Sequence, residues 1–392
     1  MSSTPSRPPI RRSTERALWW GCVVLLSIFL TTIQLAATKP YPLTDFDRVV
    51  YMQAVEPFQH RVLVPAAVRF IEHYIPIGHR LTFGLIEVTV WIILFALAER
   101  ALRLFGVGQG EAKRRLLALS LAVPMAIVTL MPDLRVAPAF IIDRGRLELG
   151  EWHLQYLFYY PYDLPAAVFT LLLVLLIIAW SQRLTGPRLA LICSIFTIAT
   201  VNRETTMFLI PMAGLLLLPH QPWTTILKVL ALLTILFVAV QLPLHWIFAA
   251  NVNPHASLVG DLPYEQHWAQ NLAQMSQPFY LLAQFVRLAG GCLLPVLLWW
   301  PYVDPRLKRA LIGFVLPLGV IALFAGRLVE HRIFVEIAPL LWLAALCAIR
   351  GRVHQSTAVR VTAAADRQPS GAAISQAYSV HADPPESGDR NP

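Results

Sequence analysis

The sequence predicts an all-α fold, a polytopic bundle of membrane-spanning helices. Hydrophobic residues make up 56% of the 392 positions and charged residues only 14%, whereas soluble domains carry about 25% charged residues. The mean hydropathy is +0.57. The apolar residues form long continuous runs, such as 164–180, so the pattern leaves no face for water. That much apolar surface needs lipid to cover it.

Ten apolar runs are long enough, or nearly so, to cross a hydrocarbon core of about 30 Å. They lie near 17–38, 82–99, 116–132, 164–180, 189–202, 205–219, 225–249, 279–300, 311–326 and 333–349. The first run is too long for a signal-peptide core, and we expect it to be retained as a span. The fifth and sixth runs are short, and they form either two spans or one helix broken at Asn202-Arg203-Glu204.

The distribution of charge predicts the orientation. With the N-terminus inside, the cytoplasmic segments hold 20 of the 32 Lys and Arg residues but 8 of the 23 Asp and Glu residues, as expected for positive-inside topology. Both termini are then cytoplasmic, and the net charge of +9 requires no nucleic-acid partner.

The same pattern divides the chain into a basic N-terminus (1–16), a transmembrane domain (17–350) and a tail (351–392). The tail is poor in large apolar residues, and we expect it to be disordered. Three outer loops, 39–81, 133–163 and 250–278, are long enough to carry function or short helices of their own. Residues 62–71 in the first loop form an amphipathic stretch that can lie flat at the membrane interface.

An acidic pair, Asp45 and Asp47, follows the first span. Two aspartates at this spacing can hold a divalent cation, or one can act as a general base while the other orients a group. Arg48 can tune their pKa. The alternative is that these are ordinary loop aspartates. We name both as candidate catalytic residues, and as the ligands of any metal.

Arginines and other polar residues collect in the segments predicted at the outer face. The guanidinium groups of Arg61, Arg203, Arg327 and Arg332 can grip a phosphate through two hydrogen bonds. Alternatively each arginine neutralises a neighbour, Arg203 with Glu204 and Arg332 with Glu330 or Glu336. The full set of candidate substrate-binding residues is Arg48, His60, Arg61, Tyr162, Asp163, Arg203, Glu204, Arg327, Glu330, His331 and Arg332.

Several other chemistries lack their sequence patterns. The histidines have no zinc-site spacing such as H-E-x-x-H, and no P-loop or Gly-x-Ser-x-Gly is present. The missing P-loop argues against ATP-driven transport by this chain alone. The four cysteines lie far apart in apolar runs and are assigned to packing. Glu87 in the second span is a structural carboxyl or, less simply, part of a proton relay.

The many spans, the acidic pair after the first span and the outer-face arginines resemble the GT-C superfamily of integral membrane glycosyltransferases. Segments 57–65 and 202–205 also resemble uncharacterised bacterial inner-membrane proteins placed near that superfamily. The resemblance implies a sugar donor linked to polyprenyl phosphate, a lipid or cell-envelope glycan acceptor, a bacterial inner-membrane location, and a catalytic carboxylate at Asp45 or Asp47. No cofactor is implied with certainty beyond a divalent cation as an option.

Two other functions stay open. A glycan polymerase or ligase acting on undecaprenyl-diphosphate substrates would use the arginines without needing the acidic pair. A flippase or secondary transporter would use Glu87, Arg203 and Glu204 at a midplane site. The sequence makes no prediction of the oligomeric state.

Overall fold

A computed structural model describes residues 9–40, 45–54, 58–130, 133–134, 142–143, 146–147, 154–155, 157–251, 271–272, 276, 290–324 and 331–365. The architecture is all-helical. The described helices are α1 Pro9–Ala37, α2 Phe46–Val50, α3 Leu63–Tyr74, α4 His79–Leu104, α5 Glu111–Leu119, α6 Ala122–Leu130, α7 Asp163–Trp180, α8 Gly186–Asn202, α9 Leu209–Leu217, α10 Trp223–Ile247, α11 Leu293–Leu298, α12 Pro305–Phe324 and α13 Ala338–Ala365.

Short 3-10 turns and strands connect these helices. The turns are Phe58–His60, Glu204–Phe208, Trp300–Tyr302 and His331–Ile337. The strands are two or three residues long: β1 Thr38–Pro40 pairs in parallel with β6 Leu157–Tyr159, β2 Asp133–Leu134 pairs with β5 Leu154–Gln155, and β3 Ile142–Asp143 pairs with β4 Arg146–Leu147. The β1–β6 pairing joins the start of the first predicted outer loop to the end of the second.

Six helices in the described part of the chain are long and apolar enough to cross a membrane. They are Ser13–Ala37, His79–Leu104, Asp163–Trp180, Trp223–Ile247, Pro305–Phe324 and Phe334–Ser356. The prediction of a multi-pass membrane protein is therefore confirmed. Gly186–Asn202 and Glu204–Leu217 are shorter apolar helices at the fifth and sixth predicted runs.

One predicted span is interrupted in the structure, and another falls partly outside the described residues. The run 116–132 is covered by two nine-residue helices, α5 and α6. Pro124 supplies no backbone N–H for the carbonyl four residues earlier, so a continuous helix is interrupted near Ser120. Of the run 279–300, the described residues are 290–300, and they include α11.

The predicted break at Asn202-Arg203-Glu204 is a reversal of the chain. Arg203 has extended backbone dihedrals (φ −161°, ψ 139°), which end α8. Beyond the reversal, Gln221 Nε2 donates a 2.6 Å hydrogen bond to the carbonyl of Ser181, next to the start of α8. The chain therefore returns to the end of the bundle from which α8 departed, so α8 and α9 run in opposite directions.

The ends of the helices form two separate groups. At one end, which we call the loop end, Arg80 donates to the carbonyl of Leu35 at 2.8 Å and Asn202 to that of Tyr162 at 3.0 Å. At the other, the basic end, Arg115 donates to the carbonyl of Glu15 at 3.3 Å. Among the described residues, parts of the segments predicted outside meet at the loop end, and parts of those predicted inside meet at the basic end.

The last described helix extends into the predicted tail. α13 continues to Ala365, and the disorder of 351–392 stays a prediction. Residues 351–365 contain four alanines, the strongest helix formers, and Arg350 ties the helix to the bundle by donating to the carbonyl of Phe105 at 2.9 Å. Residues 366–392 lie outside the described residues.

The main core lies between the long helices, and α9 packs closely along α12. A Cβ atom at Gly313 would lie 2.5 Å from the Cα of Met212, so only glycine permits this approach. A second, smaller apolar cluster at the loop end contains Val49, Val50, Ala54, Val64, Val68, Phe83, Tyr160 and Tyr162. It packs α2 and amphipathic α3 against α4 and the start of α7.

Candidate functional site

A buried ionic cluster at the loop end joins four chain segments. We call it the Arg61–Arg203 cluster; its members are Arg61, Tyr162, Asp163, Arg203, Glu204 and Glu336. Arg61 follows the 3-10 turn Phe58–His60, and its guanidinium makes two hydrogen bonds to the carboxylate of Glu204, one of them from Nε at 3.1 Å. The same guanidinium lies over the ring of Tyr162, 4.4 Å from the centroid, a cation–π contact.

Arg203 bridges two carboxylates. Its Nη1 lies 3.0 Å from Oδ1 of Asp163 and 3.1 Å from Oε1 of Glu336. The side chains of Arg203 and Glu336 are 3% and 1% exposed. Thr205 also donates a hydrogen bond to Glu336. The extended backbone at Arg203 allows its side chain and that of Glu204 to reach different partners.

The pairing within this cluster corrects an expectation from the sequence. The alternative to phosphate binding paired Arg203 with its neighbour Glu204, but Arg203 contacts Asp163 and Glu336, while Glu204 pairs with Arg61. Sequence reasoning named Glu336 only as a possible partner of Arg332. Glu336 is a carboxylate at the start of an apolar run, and this position was the signal in the sequence that Glu336 belongs to a buried site.

The described ion pairs of the cluster are formed among its own members. Two guanidinium groups face three carboxylates, and ions removed from water persist only when they are paired and hydrogen-bonded. Arg61 and Arg203 are buried and already engaged in these ion pairs. They are therefore poorly placed to receive a further anion such as a phosphate.

The acidic pair occupies a second place at the loop end. Asp45 caps α2 by accepting a 2.8 Å hydrogen bond from the backbone N–H of Arg48, whose Nε lies 3.6 Å from the same carboxylate. Asp47 is 79% exposed, and its Oδ1 lies 3.4 Å from Nε2 of His79. We call the surrounding open depression the acid-pair depression; it is lined by Asp45, Phe46, Asp47, Gly78, His79 and Arg80.

Sequence reasoning missed two titratable residues that line this depression and a third that lies beside it. His79, Arg80 and the adjoining Glu72 were not named, because the second span was expected to begin at residue 82 and the histidines looked scattered. In the structure α4 begins at His79, after Gly78 at φ +86°, a conformation that favours glycine. Nδ1 of His79 lies against Oε2 of Glu72.

The two sites are adjacent but separate. The smaller apolar cluster lies between them, with Val49 and Phe83 on the side of the depression and Tyr162 on the side of Arg61. The described contacts of Asp45 and Asp47 go to Arg48 and His79. The described contacts therefore do not bring the acids together with Arg61 and Arg203 in one pocket.

The remaining candidate residues fall into three groups. His60 is buried, with its ring 4.0 Å from that of His245. Arg327 and Glu330 lie outside the described residues. His331 and Arg332 begin the 3-10 turn His331–Ile337, and the description of these two is limited to the backbone.

A metal site is not formed by the described residues. Within these ranges no three His, Cys, Asp or Glu side chains group closely enough to hold an ion. Asp45 and Asp47 contact different partners, a cap and a histidine, rather than converging on one point.

Comparison with known proteins adds no relative. No family model matches the chain, and no curated protein or solved structure matches it.

Proposed function

We propose that the chain is an integral membrane glycosyltransferase with a GT-C-like architecture of about ten spans. It moves a sugar from a polyprenyl-phosphate donor to a lipid or cell-envelope glycan acceptor at the outer face of a bacterial inner membrane, with both termini cytoplasmic. The observation that carries the proposal is the position of Asp47: an exposed carboxylate in an open depression at the loop end, beside cationic side chains.

Asp47 is the better of the two candidate bases. Asp45 already serves as the cap of α2 and contacts Arg48, whereas Asp47 opens to solvent. In the reaction an acceptor hydroxyl attacks the anomeric carbon, the new C–O bond forms, and the bond from carbon to the phosphate oxygen breaks. Asp47 takes the hydroxyl proton, and the leaving phosphate keeps the bonding electrons.

We assign the stabilisation of the phosphate to exposed arginines at the depression, in place of the buried Arg61 and Arg203. Arg80 lines the depression, and Arg48 follows Asp47 in α2. Either guanidinium can stabilise the negative charge that develops on the leaving phosphate. The Arg61–Arg203 cluster instead fixes the first loop to α7, α8 and the start of α13, and so holds the depression in place.

Substitution of each aspartate tests the proposal. Asp47→Asn and Asp45→Asn are expressed separately, and transfer from undecaprenyl phosphate carrying a radiolabelled hexose is followed in membranes. Asp47→Asn is expected to lower transfer by about 10²–10⁴-fold, the usual contribution of a general base. Glu99→Gln, at the basic end beside Arg103, is the matched control. Full activity in both aspartate variants overturns the mechanism.

A secondary transporter or flippase is the second candidate, favoured by the burial of the Arg61–Arg203 cluster. Ionisable groups gathered from separate segments are also typical of coupled-ion sites. Proteoliposomes containing a fluorescent polyprenyl phosphate distinguish the two: a transporter moves the intact lipid in response to a proton gradient, and Asp47→Asn leaves that movement unchanged.

The sequence suggests testing the polymerase or ligase alternative by replacing arginines, but a buried arginine is unsuitable for that test. Loss of activity in an Arg203 variant does not indicate diphosphate binding, because the substitution also leaves Asp163 and Glu336 buried without their partner. The informative result is loss of activity in Arg80→Gln, which removes an exposed charge, together with activity retained in both Asp47→Asn and Asp45→Asn.

A further inference from the structure

His79 lies between two carboxylates at the rim of the acid-pair depression. Nε2 is 3.4 Å from Oδ1 of Asp47, and Nδ1 lies against Oε2 of Glu72. The imidazole therefore lies between the two carboxylates, within ion-pair distance of each.

Glu72 is held in place by a hydrogen bond from a buried residue. Thr82 Oγ1 donates a 2.9 Å hydrogen bond to Oε1 of Glu72, and Thr82 is fully buried in α4. The ring of Tyr51 meets the imidazole of His79 edge-on, with centroids 5.7 Å apart. A chain of contacts thus runs from buried Thr82 through Glu72 and His79 to the exposed carboxylate of Asp47.

The side chain of Asp47 needs a contact that restricts its conformation. It lies in the five-residue helix α2 and is mostly exposed, so an unsupported side chain would sample several rotamers. Proton transfer in the transition state requires the carboxylate to be within hydrogen-bond reach of the acceptor hydroxyl. Even a misplacement of 1 Å can cost about a hundredfold in rate.

We propose that His79 is a positioning residue that holds Asp47 in the depression, and that Glu72 holds His79. The proposal rests on the transferase function proposed above and assigns to that site two residues that the sequence analysis did not name. Neither residue need touch the donor or the acceptor.

A double-mutant cycle tests the proposal with undecaprenyl phosphate carrying a radiolabelled hexose as donor. His79→Gln and Glu72→Gln are each expected to lower kcat by about tenfold to a hundredfold with little change in KM for the donor. In the Asp47→Asn background the same substitutions are expected to cause no further loss, because they act through Asp47. His73→Gln, at an exposed histidine of α3, is the control.

Thr82→Val provides a milder variant that leaves His79 and Asp47 unchanged, and a smaller fall in kcat is expected from it. Thermal unfolding of each variant shows whether the fold is kept. Unchanged kcat in His79→Gln and Glu72→Gln, with Asp47→Asn inactive, overturns the positioning role alone, and so do additive losses in the cycle. Activity retained by Asp47→Asn overturns the transferase mechanism itself.

Discussion

Arg61 and Glu204, 143 positions apart in the chain, form an ion pair through two hydrogen bonds. This pair fastens the first loop to the point where the chain reverses between α8 and α9. Arg203, the next residue to Glu204, makes the second connection by joining the start of α7 to Glu336 before α13. Together Arg61 and Arg203 connect four chain segments at the loop end: the first loop, the start of α7, the reversal after α8, and the turn before α13.

Removing one partner of this pair is expected to destabilise the protein more than removing both. Arg61→Ala leaves the Glu204 carboxylate without its cation, and breaking a buried pair costs about 3–5 kcal/mol. The low end of that range is expected because Glu204 is 35% exposed. The double variant Arg61→Ala/Glu204→Ala should recover part of the loss.

The measurement is the apparent Tm in detergent at one scan rate. A double variant that unfolds below Arg61→Ala contradicts the pairing, since the second substitution would then remove a stabilising interaction that does not depend on the first.

The close contact between α9 and α12 gives a second prediction. Gly313→Ala places a methyl group 2.5 Å from the Cα of Met212, so the helices must separate, at a cost of about 1–3 kcal/mol. Gly319 in the same helix has no atom within 4 Å of its Cβ position, and Gly319→Ala should stabilise by up to about 1 kcal/mol because alanine favours the helix. A lower apparent Tm for Gly313→Ala than for Gly319→Ala confirms the packing, and the reverse order contradicts it.

At the basic end, Asp304 gives a prediction of pH dependence. Burial raises the pKa of its carboxyl, but hydrogen bonds from the backbone and side chain of Arg306 outweigh burial and leave the pKa lowered. A lowered folded-state pKa adds stability above the unfolded-state pKa, and that stability is lost as the pH falls through the folded-state value.

Asp304→Ala should therefore lose about 1 kcal/mol at neutral pH, with a smaller difference from the native chain in acid. Asp304→Asn keeps a side-chain acceptor for the backbone N–H of Arg306 and should lose less. The check is apparent Tm as a function of pH for the three proteins. A difference between native chain and Asp304→Ala that grows as the pH falls would contradict the assignment.

How far the sequence predicts this molecule can be argued from particular residues. Continuous apolar runs identify long helices such as α4 and α7, because lipid-facing and core-facing positions are equally apolar in a spanning helix. The break at Arg203 was also predictable, since ionisable residues interrupt the apolar pattern there. The count of ten spans stays a prediction.

The partners within the site were not predictable in the same way. The choice of Glu204 for Arg61, and of Asp163 and Glu336 for Arg203, depends on which helix ends meet at the loop end, a tertiary property that spacing does not encode. Likewise His79 and Glu72 come together because α3 folds back onto α4. The extension of α13 to Ala365 was not foreseen, because composition was weighed without the contact that Arg350 makes with the bundle.

The sidedness of residue 47 tests the account most directly, because transfer from a lipid-linked sugar at the outer face requires Asp47 and the C-terminus on opposite sides of the membrane. In a chain whose native cysteines are replaced by alanine, Asp47→Cys and Val353→Cys are labelled in intact cells with a membrane-impermeant maleimide. The account predicts labelling at position 47 and, at position 353, labelling only after the membrane is permeabilised. Equal accessibility of both positions from one compartment would contradict it.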